Sequence, residues 1–118
     1  MTELVVILST GKGTWTEVAK LIASEDWNKI FIITNQFGNE TFNKKPNMKF
    51  IVINPNDTLI NLIDNIKQGL DGKISGTEVA LNMVSGTGKE HMAALSALLK
   101  LGVGIRLVSY IDDSIKEL

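Results

Sequence analysis

An apolar run, Val79–Val84, stops at Ser85-Gly86-Thr87-Gly88-Lys89, and a helical pattern starts at once and closes at Gly102. This reads as a strand, a tight Gly-rich turn and a helix whose N-terminus faces the turn. Such a turn offers unpaired backbone N–H groups, the positive end of a helix dipole, hydroxyls and one lysine. Those groups suit an anion, most simply a phosphate. Thr87-Gly88-Lys89-Glu90 also has the spacing of a capping box, which fixes where the helix begins.

The rest of the chain repeats the same alternation. Glu3–Leu8 is a continuous apolar run, too short for a helix and rich in Val and Ile, as a strand buried on both faces requires. Ser9-Thr10-Gly11-Lys12-Gly13 follows as a turn. Thr14 and Glu17 have capping-box spacing, and Trp15, Val18, Ala19 and Ile22 predict a helix from about Trp15 to Ser24. Lys29–Thr34 is a second buried-type strand. Asn35–Asn47 is polar and weakly periodic, so it reads as a long loop that can hold one helical turn. Met48–Ile53 is a third strand. Asn54-Pro55-Asn56-Asp57 starts a second helix with the stripe Leu59, Leu62, Ile63 and Ile66, closed by Gly69. Thr77–Val84 is the fourth strand and Gly104–Tyr110 the fifth, followed by a short tail, Asp112–Leu118.

Strands separated by helices of this length call for βαβ units. The expected fold is α/β: a Rossmann-like three-layer domain over residues 1–118, with a mostly parallel sheet of about five strands in the order 3-2-1-4-5. The order reverses between strands 1 and 4, and ligands of such sheets bind at that switch point, outside the carboxyl ends of the strands. The loops there are Ser9–Thr14 and Ser85–Lys89, both rich in Gly, Ser, Thr and Lys. Met92 to Leu101 is apolar almost all round. It is expected to be buried against the sheet on one side and a neighbouring helix or second subunit on the other.

Composition narrows the chemistry. Twelve basic residues against thirteen acidic ones leave a net charge of −1, so a long nucleic acid duplex is not an expected partner. There is no cysteine and a single histidine, His91, so neither a thiolate metal site nor a typical zinc site is expected. No cofactor is expected. No signal-peptide pattern or bilayer-length apolar run is seen, which reads as a cytoplasmic protein without a membrane partner. The Walker A pattern fails at both lysine loops, with Met83 and Glu90 at its required positions in one and Val6 and Gly13 in the other. The dinucleotide fingerprint fails because Gly11 and Gly13 are followed by Thr16, and strand 2 ends in Thr34-Asn35-Gln36 without an acid for a ribose. No G-x-S-x-G elbow is present.

Asn82, Ser85, Gly86, Thr87, Gly88, Lys89 and Met92 resemble the turn after the fourth strand of the CARF family (CRISPR-associated Rossmann fold), which typically runs like T-G-G-T-K with a methionine soon after. Ser9-Thr10-Gly11-Lys12 sits where that family has a polar turn after strand 1. Thr and Gly are exchanged within the turn, and one extra residue separates Lys89 from Met92. The resemblance covers most of the chain in element order and about a dozen residues in motif. It implies a homodimer with a two-fold site that binds a cyclic oligoadenylate in antiviral defence. Members often carry a C-terminal effector domain, which this sequence does not show, so the resemblance implies either a stand-alone sensor, whose effector can be a separate chain, or a fragment. The ligand-binding residues it implies are Ser9, Thr10, Gly11, Lys12, Ser85, Gly86, Thr87, Gly88 and Lys89. Some members slowly cleave the ring without a metal, a role in which Lys12, Lys89 and His91 are the candidates here.

Plainer readings stand beside these. The Ser85–Lys89 loop can be a βα turn whose glycines serve backbone geometry, and the chain an oligomerisation module without a nucleotide. Lys12, Lys89 and the Lys44-Lys45 pair can be solvated, and His91 a packing residue. Trp15 is expected in the core, with base stacking as its lesser reading, and Trp27 in surface packing. Phe37 and Phe42 either fold back on the core or cover a base.

Overall fold

The computed structural model describes residues 2–10 and 13–118. Its sheet has six strands in the order β3-β2-β1-β4-β5-β6. They are β1 (Glu3–Leu8), β2 (Ile30–Thr34), β3 (Met48–Val52), β4 (Glu78–Asn82), β5 (Gly104–Ile111) and β6 (Ser114–Glu117). The helices are α1 (Thr14–Ala23), α2 (Gln36–Thr41), α3 (Leu59–Leu70) and α4 (Gly88–Lys100). The first five strands are parallel and follow the expected 3-2-1-4-5 order. The tail expected after residue 111 is instead a sixth strand, antiparallel to β5, with Tyr110 opposite Ile115. The hairpin turns at Asp112 and Asp113, both at positive φ, as a two-residue type I′ turn requires.

Every residue of β1 and β2 is buried, because helices cover both faces of the sheet centre. Successive side chains alternate between two cores. Val5, Ile7, Phe31 and Ile33 pack under α3 and α4, with Leu62, Ile66, Ala94 and Leu98. Leu4, Val6, Leu8 and Ile32 pack under α1, with Val18, Leu21 and Trp27. Trp27 is thus a core residue, not a surface one, and its indole Nε1 donates to the Leu21 carbonyl at 3.2 Å.

Three boundaries depart from expectation. The first helix begins at Thr14 itself, with Gly13 in left-handed conformation as its N-cap residue, so Thr14 is not the cap. The second predicted helix, now α3, runs through Gly69 to Leu70. Gly69 marks a close approach there, since a Cβ would lie 2.9 Å from Ile51. In the Asn35–Asn47 stretch, α2 forms because Asn35 accepts from the Gly38 amide and Gly38 tucks against Thr34. Among the described residues, no helix is long and apolar enough to cross a membrane.

Candidate functional site

The carboxyl ends of β1 and β4 meet at the switch point, and the loops beyond them are joined. Asn82 ends β4: its side-chain amide donates to the Val108 carbonyl, and its carbonyl oxygen accepts from Val84 N–H. That turns the chain out of the sheet and into Ser85–Lys89. Ser85 is fully buried, and its Oγ accepts from the Ser9 amide at 2.9 Å. The Gly86 amide donates to the Thr10 carbonyl at 2.7 Å. Gly86 sits at φ +105, and a Cβ there would lie 2.7 Å from Ile7 Cγ2, so the approach of the turn to β1 admits only glycine.

Glu90 is the joint between the loops. The capping box forms as expected: Thr87 Oγ1 accepts from the Glu90 amide, and Glu90 Oε1 accepts from the Thr87 amide at 2.8 Å. The other carboxylate oxygen accepts from the Ser9 hydroxyl at 2.9 Å, across 81 residues of sequence. Glu90 is 1% exposed, and no cation pairs with it among the described residues. Two hydrogen bonds and the positive end of α4 offset the cost of burying its charge. The protein's own carboxylate therefore takes up part of the helix N-terminus. The first-turn amides of Gly88 and Lys89 keep no acceptor among the described residues, and a Cβ at Gly88 would meet nothing within 4 Å.

Lys89 is exposed, and its Nζ reaches to 3.5 Å from the Pro55 carbonyl. That brings in a third loop, Asn54–Thr58 between β3 and α3, which sequence reasoning did not assign to the site. Asp57 in this loop has its pKa lowered, first by the Asn61 side-chain amide at 2.9 Å, next by the Thr58 amide, and less by the Lys89 charge. The signal for this loop was available: it too follows the carboxyl end of a parallel strand. His91 Nε2 lies 2.9 Å from the Ser85 carbonyl. A carbonyl only accepts, so Nε2 carries the proton, and the imidazole braces the turn.

Of the residues expected to bind ligand, Ser9, Thr10, Ser85, Gly86, Thr87, Gly88 and Lys89 are gathered at one place. Ser9, Ser85 and the Gly86 amide bond to other protein groups there, while Gly88, Lys89 and the Thr10 side of the turn form the rim. Gly11 and Lys12 lie outside the described residues. No protein-family model matches the chain, and no curated protein matches it.

The far side of α4 adds one more feature. Ala93, Ala94, Ala97 and Leu98 are buried on α3 and the sheet, but Met92 is 58% exposed and Leu99 69%. The helix is therefore not buried all round by its own chain. Met92, Leu95 and Leu99 form a stripe at helical spacing that begins one turn beyond Gly88. Leu107 of β5 and the terminal Leu118 are exposed large apolar residues as well.

Proposed function

We propose that this chain is a CARF-like sensor, a homodimer whose switch-point crevice binds a cyclic oligoadenylate. The convergence of the β1 and β4 loops on one crevice carries the reading. At its rim stand two helix-start amides without an acceptor among the described residues, and the Lys89 ammonium. A phosphate fits such a rim through N–H donors and one charge, without a large net charge on the protein. The buried Glu90 limits the phosphate to the rim and keeps it out of the space behind the turn.

A cyclic ligand with repeated phosphates asks for a second copy of the rim. The Met92–Leu99 stripe supplies the means: two α4 helices packed about an axis parallel to them bring both Ser85–Lys89 turns to the same end of the dimer. Of the groups that could assist cleavage of the ring, His91 Nε2 is bonded to the Ser85 carbonyl and Lys89 stands at the rim.

Two variants test it. Lys89→Ala, with an exposed side chain, should keep the fold and weaken cyclic tetra- or hexa-adenylate binding at least tenfold. Leu99→Lys should give a folded monomer in sedimentation that also loses affinity. Unchanged affinity in Lys89→Ala, or undiminished binding by a monomer, overturns the proposal.

A further inference from the structure

Beside the β1 loop stands an aromatic group that the rim chemistry leaves unexplained. Trp15 stands in the first turn of α1, and its indole Nε1 donates to the Ser9 carbonyl at 2.7 Å. Ser9 is the residue whose amide and hydroxyl tie the two loops together. The indole is therefore held in a fixed position relative to the joined loops. Phe42 meets it edge-on, with centroids 6.2 Å apart and planes at 74°, and Phe42 in turn packs on Phe50 at 6.4 Å. Phe37 completes the group at 5.8 Å from Trp15 with a 48° tilt.

Three of these four rings are half-buried and support one another, whereas Phe37 is 68% exposed. Its helix is nonetheless firmly seated. Asn35 caps α2 at the Gly38 amide, Gly38 lies against Thr34, and the Thr34 hydroxyl donates to the Leu8 carbonyl at 2.6 Å. The ring is thus presented to solvent from a braced support at the carboxyl end of the sheet. A phenyl group held this way meets Trp15 on one side and is otherwise largely open to solvent.

We propose that Phe37, backed by Trp15, is a stacking shelf for an unpaired nucleobase of the ligand whose phosphate sits at the rim of α4. This inference rests on the phosphate reading of the crevice and adds the surface that recognises the base. Stacking on an aromatic face is tolerant of base identity, and a purine covers more of the ring than a pyrimidine. The two sides divide the work: the α4 side holds charge, and the α1–α2 side holds the flat apolar part of the same molecule.

The test compares cyclic tetra-adenylate with an abasic ribose-phosphate tetramer, each titrated into the parent protein, Phe37→Ala, Phe37→Leu, Phe37→Trp and Lys89→Ala. Circular dichroism checks that every variant folds. The parent should prefer the adenylate. Phe37→Ala and Phe37→Leu should bind the adenylate about 5- to 100-fold more weakly, with the abasic ligand unaffected, and Phe37→Trp should restore binding. If Phe37→Ala matches the parent while Lys89→Ala fails, the shelf is overturned and the phosphate rim stands. If Phe37→Ala fails and Lys89→Ala matches the parent, the shelf stands and the rim is misplaced. A parent that binds neither ligand overturns both.

Discussion

Replacing Glu90 with alanine removes both bonds that the carboxylate makes between the switch-point loops, at 2.8 Å from the Thr87 amide and 2.9 Å from the Ser9 hydroxyl. A hydrogen bond to a charged group contributes about 1.5–3 kcal/mol net. Part of that is returned because a buried charge disappears. The expected loss is about 2–4 kcal/mol. At about 4 °C per kcal/mol for a chain of this size, the thermal midpoint falls by about 8–16 °C. Glu90→Gln keeps an acceptor for Thr87, and the Ser9 hydroxyl can turn to accept from the new amide, so its cost is about 1 kcal/mol. Urea unfolding followed by circular dichroism measures both. The Gln variant also removes a negative charge from the helix start, so it should bind a phosphate ligand more tightly than the parent while being less stable. An alanine variant within about 0.5 kcal/mol of the parent refutes the role given to Glu90 as the joint between the loops.

Two glycines of one turn should behave oppositely. Gly86→Ala places a Cβ 2.7 Å from Ile7 at positive φ and should cost about 2–5 kcal/mol, while Gly88→Ala enters open space and should change stability by less than about 0.5 kcal/mol. Equal effects in denaturant unfolding contradict the close approach described for Gly86. In the β5–β6 hairpin, Asp113→Gly should raise stability by about 0.5 kcal/mol, because glycine adopts positive φ without the strain an aspartate bears. A loss in the same assay argues for a specific contact of the Asp113 side chain. The Asp57 carboxyl should titrate below the usual aspartate value by NMR, and Asn61→Ala should raise its midpoint. Because the folded pKa is the lower one, the stabilisation is present above the unfolded value and fades as pH falls through the folded one. A midpoint at or above the usual value contradicts the geometry of the α3 start.

The central strands were legible because burial on both faces writes them as unbroken Val/Ile runs, and strand order followed from right-handed crossovers. The capping box at Thr87 and Glu90 was legible because it is local. What escaped was set by contacts distant in sequence. Ser114–Glu117 carries no apolar alternation of a strand's kind, and its turn is Asp-Asp in place of Asn-Gly, so the hairpin leaves little mark. The short α2 has a glycine at its centre and is held by Thr34 and its Asn35 cap, not by propensity. Trp27 stands in a polar segment and is buried only because the chain returns there to the sheet. At the site, topology foretold the meeting of the two loops. It could not foretell that Ser9, Ser85 and Glu90 would bond to one another and leave the rim to Gly88 and Lys89.

The most direct test of the sensor reading is isothermal titration calorimetry of the purified protein against cyclic tetra- and hexa-adenylate, with ATP as control. The account predicts saturable heat with one cyclic ring per two chains and none with ATP. Absence of heat with both rings, or a stoichiometry of one ring per chain, contradicts it.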